Sequence, residues 1–180
     1  MHTLYFTRHG KTEWNELRKV CGISESSLTQ TGKLQAQNAA EYLKSNKIKI
    51  DQILCSPLQR AKETAQIISE ALNIPFKTEE LLKERNCGIF EGTNYDSLEM
   101  HESQKQIAIR YGGESVLQTV HRIYTLLDDL TSPKNADKIY LLVGHNGISK
   151  AVHSYFCEMN TEEFLSWRIQ NCQIMKYEFQ

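Results

Sequence analysis

The chain has 180 residues, 40% of them hydrophobic and 24% charged, an ordinary globular composition that excludes a fibrous or disordered chain. The length suits a single domain over residues 1–180, which buries roughly 70% of its unfolded surface and needs no disulfide or structural metal to hold a core. A formal net charge of -1 lacks the global basic excess of nucleic-acid binders, so no nucleic-acid partner is expected.

Residues 3–8 (TLYFTR) read as a first strand ending at Arg8-His9-Gly10. Thr29 suits the cap of a helix over about 30–45, with Leu34, Ala39, Ala40 and Leu43 on one side. Residues 52–55 (QILC) form a second strand. Ser56-Pro57 opens the next helix as N-cap and first helical residue. Leu58, Ala61, Ala65, Ile68 and Leu72 then recur at spacings of 3 and 4, which is one helical face. Asn73 and Pro75 close it, and residues 76–78 read as a short strand. Val116, Val120, Ile123, Leu127 and Leu130 predict another helix. Residues 138–143 (KIYLLV) are the clearest strand, ending at Gly144-His145-Asn146-Gly147, and Ile148, Val152, Tyr155 and Phe156 suit a helix after it. Residues 173–179 read as a closing strand. Strands alternating with helices imply a three-layer α/β/α sandwich with a mainly parallel central sheet. Ligands of such sheets bind outside the carboxyl ends of the strands, where both histidine turns fall.

The five cysteines are odd in number and none is spaced as CxxC, which speaks against a disulfide framework or a zinc motif. Reduced thiols, the absence of an apolar leader after Met1 and the absence of any run of 18 apolar residues predict a cytoplasmic protein with no membrane partner.

Four clusters carry candidate chemistry. Arg8 beside His9 offers five fixed donors for phosphate oxygens, and Gly10 leaves the imidazole little covered. Arg60 stands in the first turn of its helix, where the amide ends already favour an anion. Glu84 and Glu91 flank Gly88, and a carboxyl there can donate a proton if burial raises its pKa. His145 is a second imidazole between glycines.

Together the clusters resemble the histidine phosphatase superfamily, which includes the cofactor-dependent phosphoglycerate mutases. RHG with Asn15 downstream, SPLxRAxxTA, LxExxxGxxEG and GHNG occur in that family's order, and Gly113-Glu114-Ser115 also looks like a family element. The similarity spans residues 3–148. Glu25 and Ser27 replace an Asp and a Pro common in relatives, Cys21 stands where many carry a small hydroxyl residue, and 93–112 is short beside the mutases.

The resemblance implies a metal-independent phosphatase of small phosphorylated metabolites, working without a cofactor. His9 attacks phosphorus, and the positive charge of Arg8, Arg60 and His145 holds the phosphoryl group. Glu84 is the family's proton donor. Asn15 and the backbone near Cys21 and Gly22 add donors, Arg85 suits a second anionic group, and Asn146 adds a further substrate contact. Glu91 reads as structural. A phosphoglycerate mutase is the enzymatic alternative, and a non-catalytic binder of phosphoryl ligands the other. Segment 93–113 sets Asp96, Glu99 and Glu102 against Lys105 and Arg110, which does not make a basic lid and favours hydrolysis. Arg⁺ charge near Cys21 would favour its thiolate.

Overall fold

The computed structural model describes residues 2–97, 112–135 and 137–179; Glu99, Glu102, Lys105 and Arg110 lie outside them. Strand β1 (His2–Arg8) leads through a single helical turn, α1 (Glu13–Glu16), to helix α2 (Gln30–Ser45). Strand β2 (Gln52–Cys55), helix α3 (Gln59–Leu72) and strand β3 (Phe76–Thr78) follow. Helix α4 (Val116–Leu130), strand β4 (Tyr140–Gly144), helices α5 (Asn146–Phe156) and α6 (Thr161–Ser166) and strand β5 (Ile174–Phe179) complete the order.

The five strands form one sheet in the order β3-β2-β4-β1-β5. All neighbours are parallel except β5, which runs antiparallel to β1. Alternation along each strand separates two cores. Leu4, Phe6, Leu54, Tyr140 and Leu142 pack with Ile123 and Leu127 of α4 and Ile148 and Val152 of α5. Tyr5, Ile53, Cys55, Leu141 and Val143 pack on the other face with Ala36 and Leu43 of α2 and Ala65 and Ile68 of α3. The predicted three-layer arrangement is therefore the observed one.

Local chemistry sets most boundaries as expected. Thr29 caps α2 by accepting the Gly32 N–H at 3.1 Å, and Ser115 and Gln118 form a reciprocal capping box at the start of α4. Three expectations change. Leu34 is exposed, and Ala36 takes its place on the buried face; at 3.6 residues per turn, position 34 lies about 140° round from Ala39. Strand β4 starts at Tyr140, because the Lys138 N–H is spent in a turn to the Asn135 carbonyl.

The third change is at α3, which starts at Gln59 with Leu58 in the cap position and no side-chain cap from Ser56. The Gln59 N–H goes instead to both carboxylate oxygens of Glu25, at 3.1 and 3.0 Å. A carboxylate at a helix N-terminus also complements the dipole. The departure at Glu25 thus has a structural use. Among the described residues no helix is long and apolar enough to cross a membrane.

Candidate active site

Arg8 of β1 pairs with Gly144 of β4. The residues that follow each, His9 and His145, therefore emerge side by side from the carboxyl ends of adjacent parallel strands. Their ring centroids are 5.1 Å apart.

His9 is buried, and its Nδ1 lies 2.7 Å from the Gly10 carbonyl. A carbonyl only accepts, so Nδ1 carries the proton and Nε2 keeps its lone pair. Burial, then the charges of Arg60 and Arg8, hold the His9 pKa well below the usual range, so the ring is neutral. The main chain around it is fixed from three sides. His9 N–H donates to the Gly144 carbonyl, Gly10 N–H donates to Thr64 of α3, and Asn171 Nδ2 donates to the His9 carbonyl. Gly10 and Gly32 pass so closely that a methyl on either would strike the backbone of the facing segment.

Arg60 is fully buried, and its two terminal nitrogens donate to the carbonyls of Gly22 and Ser24 at 2.6 and 2.7 Å. It braces that loop while its charge acts on His9. Arg8 donates from one terminal nitrogen to the Ile169 carbonyl at 3.1 Å. His145 is buried, with Nε2 sharing a 2.7 Å hydrogen bond with Ser56 Oγ. Burial and Arg60 lower its pKa well below the usual range. In the unliganded protein His145 is therefore held in its neutral form, not the charged form expected from the sequence. Two buried donors, Arg8 Nε and Arg60 Nε, and one buried ring nitrogen, His145 Nδ1, have no hydrogen-bond partner among the described residues.

Glu84 lies on the wall of a cavity of about 390 Å³ that also holds Arg8 and His9. Its carboxylate accepts from the N–H of Arg85 and of Gly147, both at 2.8 Å. Glu91 instead accepts the N–H groups of Ile23, Ser24 and Cys87, tying the 22–24 loop to the 84–91 segment as a structural clamp.

Asn15, Cys21, Arg85 and Asn146 all line the cavity. Asn15 Oδ1 accepts the Thr12 N–H in a capping box, and Asn146 Oδ1 accepts the Ile169 N–H. Gly22 is not on the cavity wall; it supports the site through the carbonyl held by Arg60. Cys21 departs from expectation. Burial outweighs Arg60 and pushes its thiol up to about 11, and its Sγ donates to the Ser24 carbonyl.

Sequence reasoning missed Ser56, Asn171, Lys150 and Arg168, the last three on the cavity wall. Nothing in the local context of the last three marks them, although the i, i+3 spacing of Gly147 and Lys150 was available, whereas Ser56 opens the SPLxRAxxTA element and was read only as a cap. Among the described residues no group of three His, Cys, Asp or Glu side chains is arranged to hold a metal ion.

The chain matches the profile of the histidine phosphatase superfamily (branch 1) over residues 4–180. It is 30% identical over 188 residues to the probable phosphoglycerate mutase GpmB of Yersinia pestis (strain Pestoides F), covering 100% of this chain and 86% of that protein. YhfR from Bacillus stearothermophilus superposes with a TM-score of 0.86 at 24% identity, over 99% of this chain and 91% of that one. The alpha-ribazole phosphatase from Shigella flexneri gives 0.85 at 23% identity, over 99% and 91%. A mycobacterial glucosyl-3-phosphoglycerate phosphatase in complex with VO3 gives 0.83 at 22% identity, over 98% and 90%. Because the profile match runs from β1 through β5 and takes in both histidine turns, the chain belongs to the histidine phosphatase superfamily, a group of phosphatases and mutases.

Proposed function

We propose that the protein is a metal-independent phosphomonoesterase that hydrolyses small phosphorylated metabolites through a phosphohistidine on His9. The observation that carries this is the pair of buried guanidinium donors, Arg8 Nε and Arg60 Nε, without partners among the described residues, beside a neutral imidazole. Buried donors without partners cost about 1–3 kcal/mol each. Arg8 lines the same cavity as His9, where a phosphoryl oxygen would satisfy its Nε, while the charge of Arg60 acts from behind the wall.

In this reading the His9 Nε2 lone pair attacks phosphorus, and the bond from phosphorus to the ester oxygen breaks. Glu84, entering protonated, gives its proton to that oxygen. Water then attacks phospho-His9 and Glu84 takes its proton. The P–N bond breaks, and phosphate leaves with His9 restored. Arg8 and Arg60 provide the charge on the equatorial oxygens that Mg²⁺ provides in kinases. The fold shared with proteins named as phosphatases supports the reading. Quenching with labelled substrate should trap an acid-labile, base-stable adduct on His9. His9→Ala should lose turnover yet still bind vanadate. A stable adduct on Ser or Cys would overturn the mechanism.

A mutase is the second reading, favoured by the 30% identity to a probable phosphoglycerate mutase. The assay follows interconversion of 3- and 2-phosphoglycerate with 2,3-bisphosphoglycerate present, beside phosphate release from a metabolite panel in EDTA. Isomerisation much faster than any phosphate release would replace hydrolysis as the function.

A further inference from the structure

Beyond the His9 end, the cavity wall carries five more cations from segments outside the Glu84-Arg85 turn: Lys11, Arg18, Lys19, Lys150 and Arg168. Three are engaged. Lys11 pairs with Glu16 at 3.3 Å, Arg18 pairs with Asp96 through two 2.6 Å bonds, and Lys19 sits 5.7 Å over the Trp14 ring. Lys150 and Arg168 differ. Neither forms an ion pair with a carboxylate among the described residues.

What holds these two together is a helix end. Lys150 Nζ donates to the Leu165 carbonyl at 2.5 Å, and Arg168 donates to the same carbonyl at 3.0 Å and to that of Trp167 at 2.8 Å. Leu165 lies in the last turn of α6, whose unpaired carbonyls attract cations. Lys150 is buried. Two like charges meet on one oxygen at a cavity wall, and the Lys150 pKa falls to about 7 through burial, then through Arg168 and Arg85, with Glu84 opposing. Glu84 is the one carboxylate on that wall among the described residues.

The charges that act on His9 are those of Arg60 and Arg8, whereas Lys150 is coupled to Arg168, Arg85 and Glu84. Gly147, whose N–H holds Glu84, precedes Lys150 by three residues on α5. That spacing puts both on one helix face, about 5 Å apart along the axis. Glu84 and Lys150 line one cavity and interact electrostatically, so a leaving group whose ester oxygen meets Glu84 lies near Lys150.

We infer that Lys150 and Arg168 form a second anion subsite, so that the substrate is a compact phosphomonoester bearing another acidic group, a carboxylate or a second phosphate, close to the ester oxygen. This rests on the reading of the His9 end as the phosphoryl site. Neutral sugar or nucleoside monophosphates lack the group that would bridge the two cations.

The test uses non-hydrolysable probes, so that binding is read apart from turnover. Calorimetry compares 3-phosphonopropionate with propylphosphonate, and propane-1,3-bisphosphonate with propylphosphonate, which separates the carboxylate from the second phosphate. The wild type should prefer at least one diacid by tenfold or more. Lys150→Met, which keeps length without charge, should cut that ratio at least fivefold. Arg168→Ala, at an exposed position, should cut it too and keeps the test valid if the buried lysine variant folds poorly. A wild-type ratio near one, or a ratio unchanged in the folded variants, overturns the subsite. Phosphate release from p-nitrophenyl phosphate by the wild type is measured in parallel. A diacid preference without such release upholds the subsite and rejects the phosphatase reading instead.

Discussion

Gly147 and Glu84 are fitted to each other: the Gly147 N–H donates to Glu84 Oε2 at 2.8 Å, and the space a side chain at 147 would take is already filled by the same carboxyl group. Gly147→Ala must therefore displace the proposed acid while leaving His9 in place. Both Gly147→Ala and Glu84→Gln are expected to lower kcat on alkyl phosphates by about 100-fold or more, the usual weight of a positioned acid. Aryl phosphates with good leaving groups should lose much less. Steady-state kinetics on a matched alkyl and aryl pair decides the matter, and equal losses would remove Glu84 from that role.

Ser56 is the sole hydrogen-bond partner of the buried His145 ring among the described residues. Ser56→Ala leaves both ring nitrogens unpaired, a cost of about 1–3 kcal/mol. Urea unfolding should show a lower midpoint at unchanged slope. If Ser56 acted only as a helix cap, the loss would be confined to fraying of α3, and the His145 ring signal in NMR would not move.

Acid should destabilise the fold earlier than carboxylates alone would make it. His9 and His145 are held neutral by pKa values well below the 6.5 of an unperturbed imidazole. Below about pH 6.5 the unfolded chain binds protons that the folded one refuses, so stability falls as pH falls. The slope approaches about 1.4 kcal/mol per pH unit for each histidine. Stability curves between pH 7 and 5 should show it, and His145→Asn should remove one histidine's share of the slope. Equal slopes in wild type and variant would mean that His145 titrates normally.

Cys21 should react slowly. With its thiol pushed up to about 11 by burial, little thiolate exists at neutral pH. Iodoacetamide at pH 7.5 is expected to modify it far more slowly than a free thiol. Any inactivation by peroxide should persist in Cys21→Ser; protection by that substitution would show a reactive Cys21.

The diacid preference should depend on pH through Lys150. Its pKa near 7 is set by burial, Arg168 and Arg85 against Glu84, so its charge is present below that value and lost above it. The ratio of 3-phosphonopropionate to propylphosphonate affinity should be larger at pH 6 than at pH 8.5. Using the ratio cancels ionisation of the phosphonate itself. In Lys150→Met the ratio should not change with pH, and a residual change would assign the titration elsewhere.

Periodicity in the sequence was enough to find β1, β2 and α4, because alternation and 3.6-residue spacing report directly which side of an element is buried. The strand-end turns at His9 and His145 were legible for the same reason, whereas the structural part of Glu91 followed from the family resemblance, which gave the acid to Glu84. Ser56 shows where that reasoning stops. A serine before a proline is a good cap locally, yet a histidine 89 residues away takes its hydroxyl, and Glu25 closes the helix from another loop. Asn171 reaches the His9 carbonyl across 162 residues, and Lys150 and Arg168 meet on one helix-end carbonyl. The sequence by itself determined most of the elements and the two histidine turns at the strand ends. Only the tertiary structure decided charge state and partnership, because burial and distances between remote segments set whether an imidazole, a thiol or an amine carries its charge.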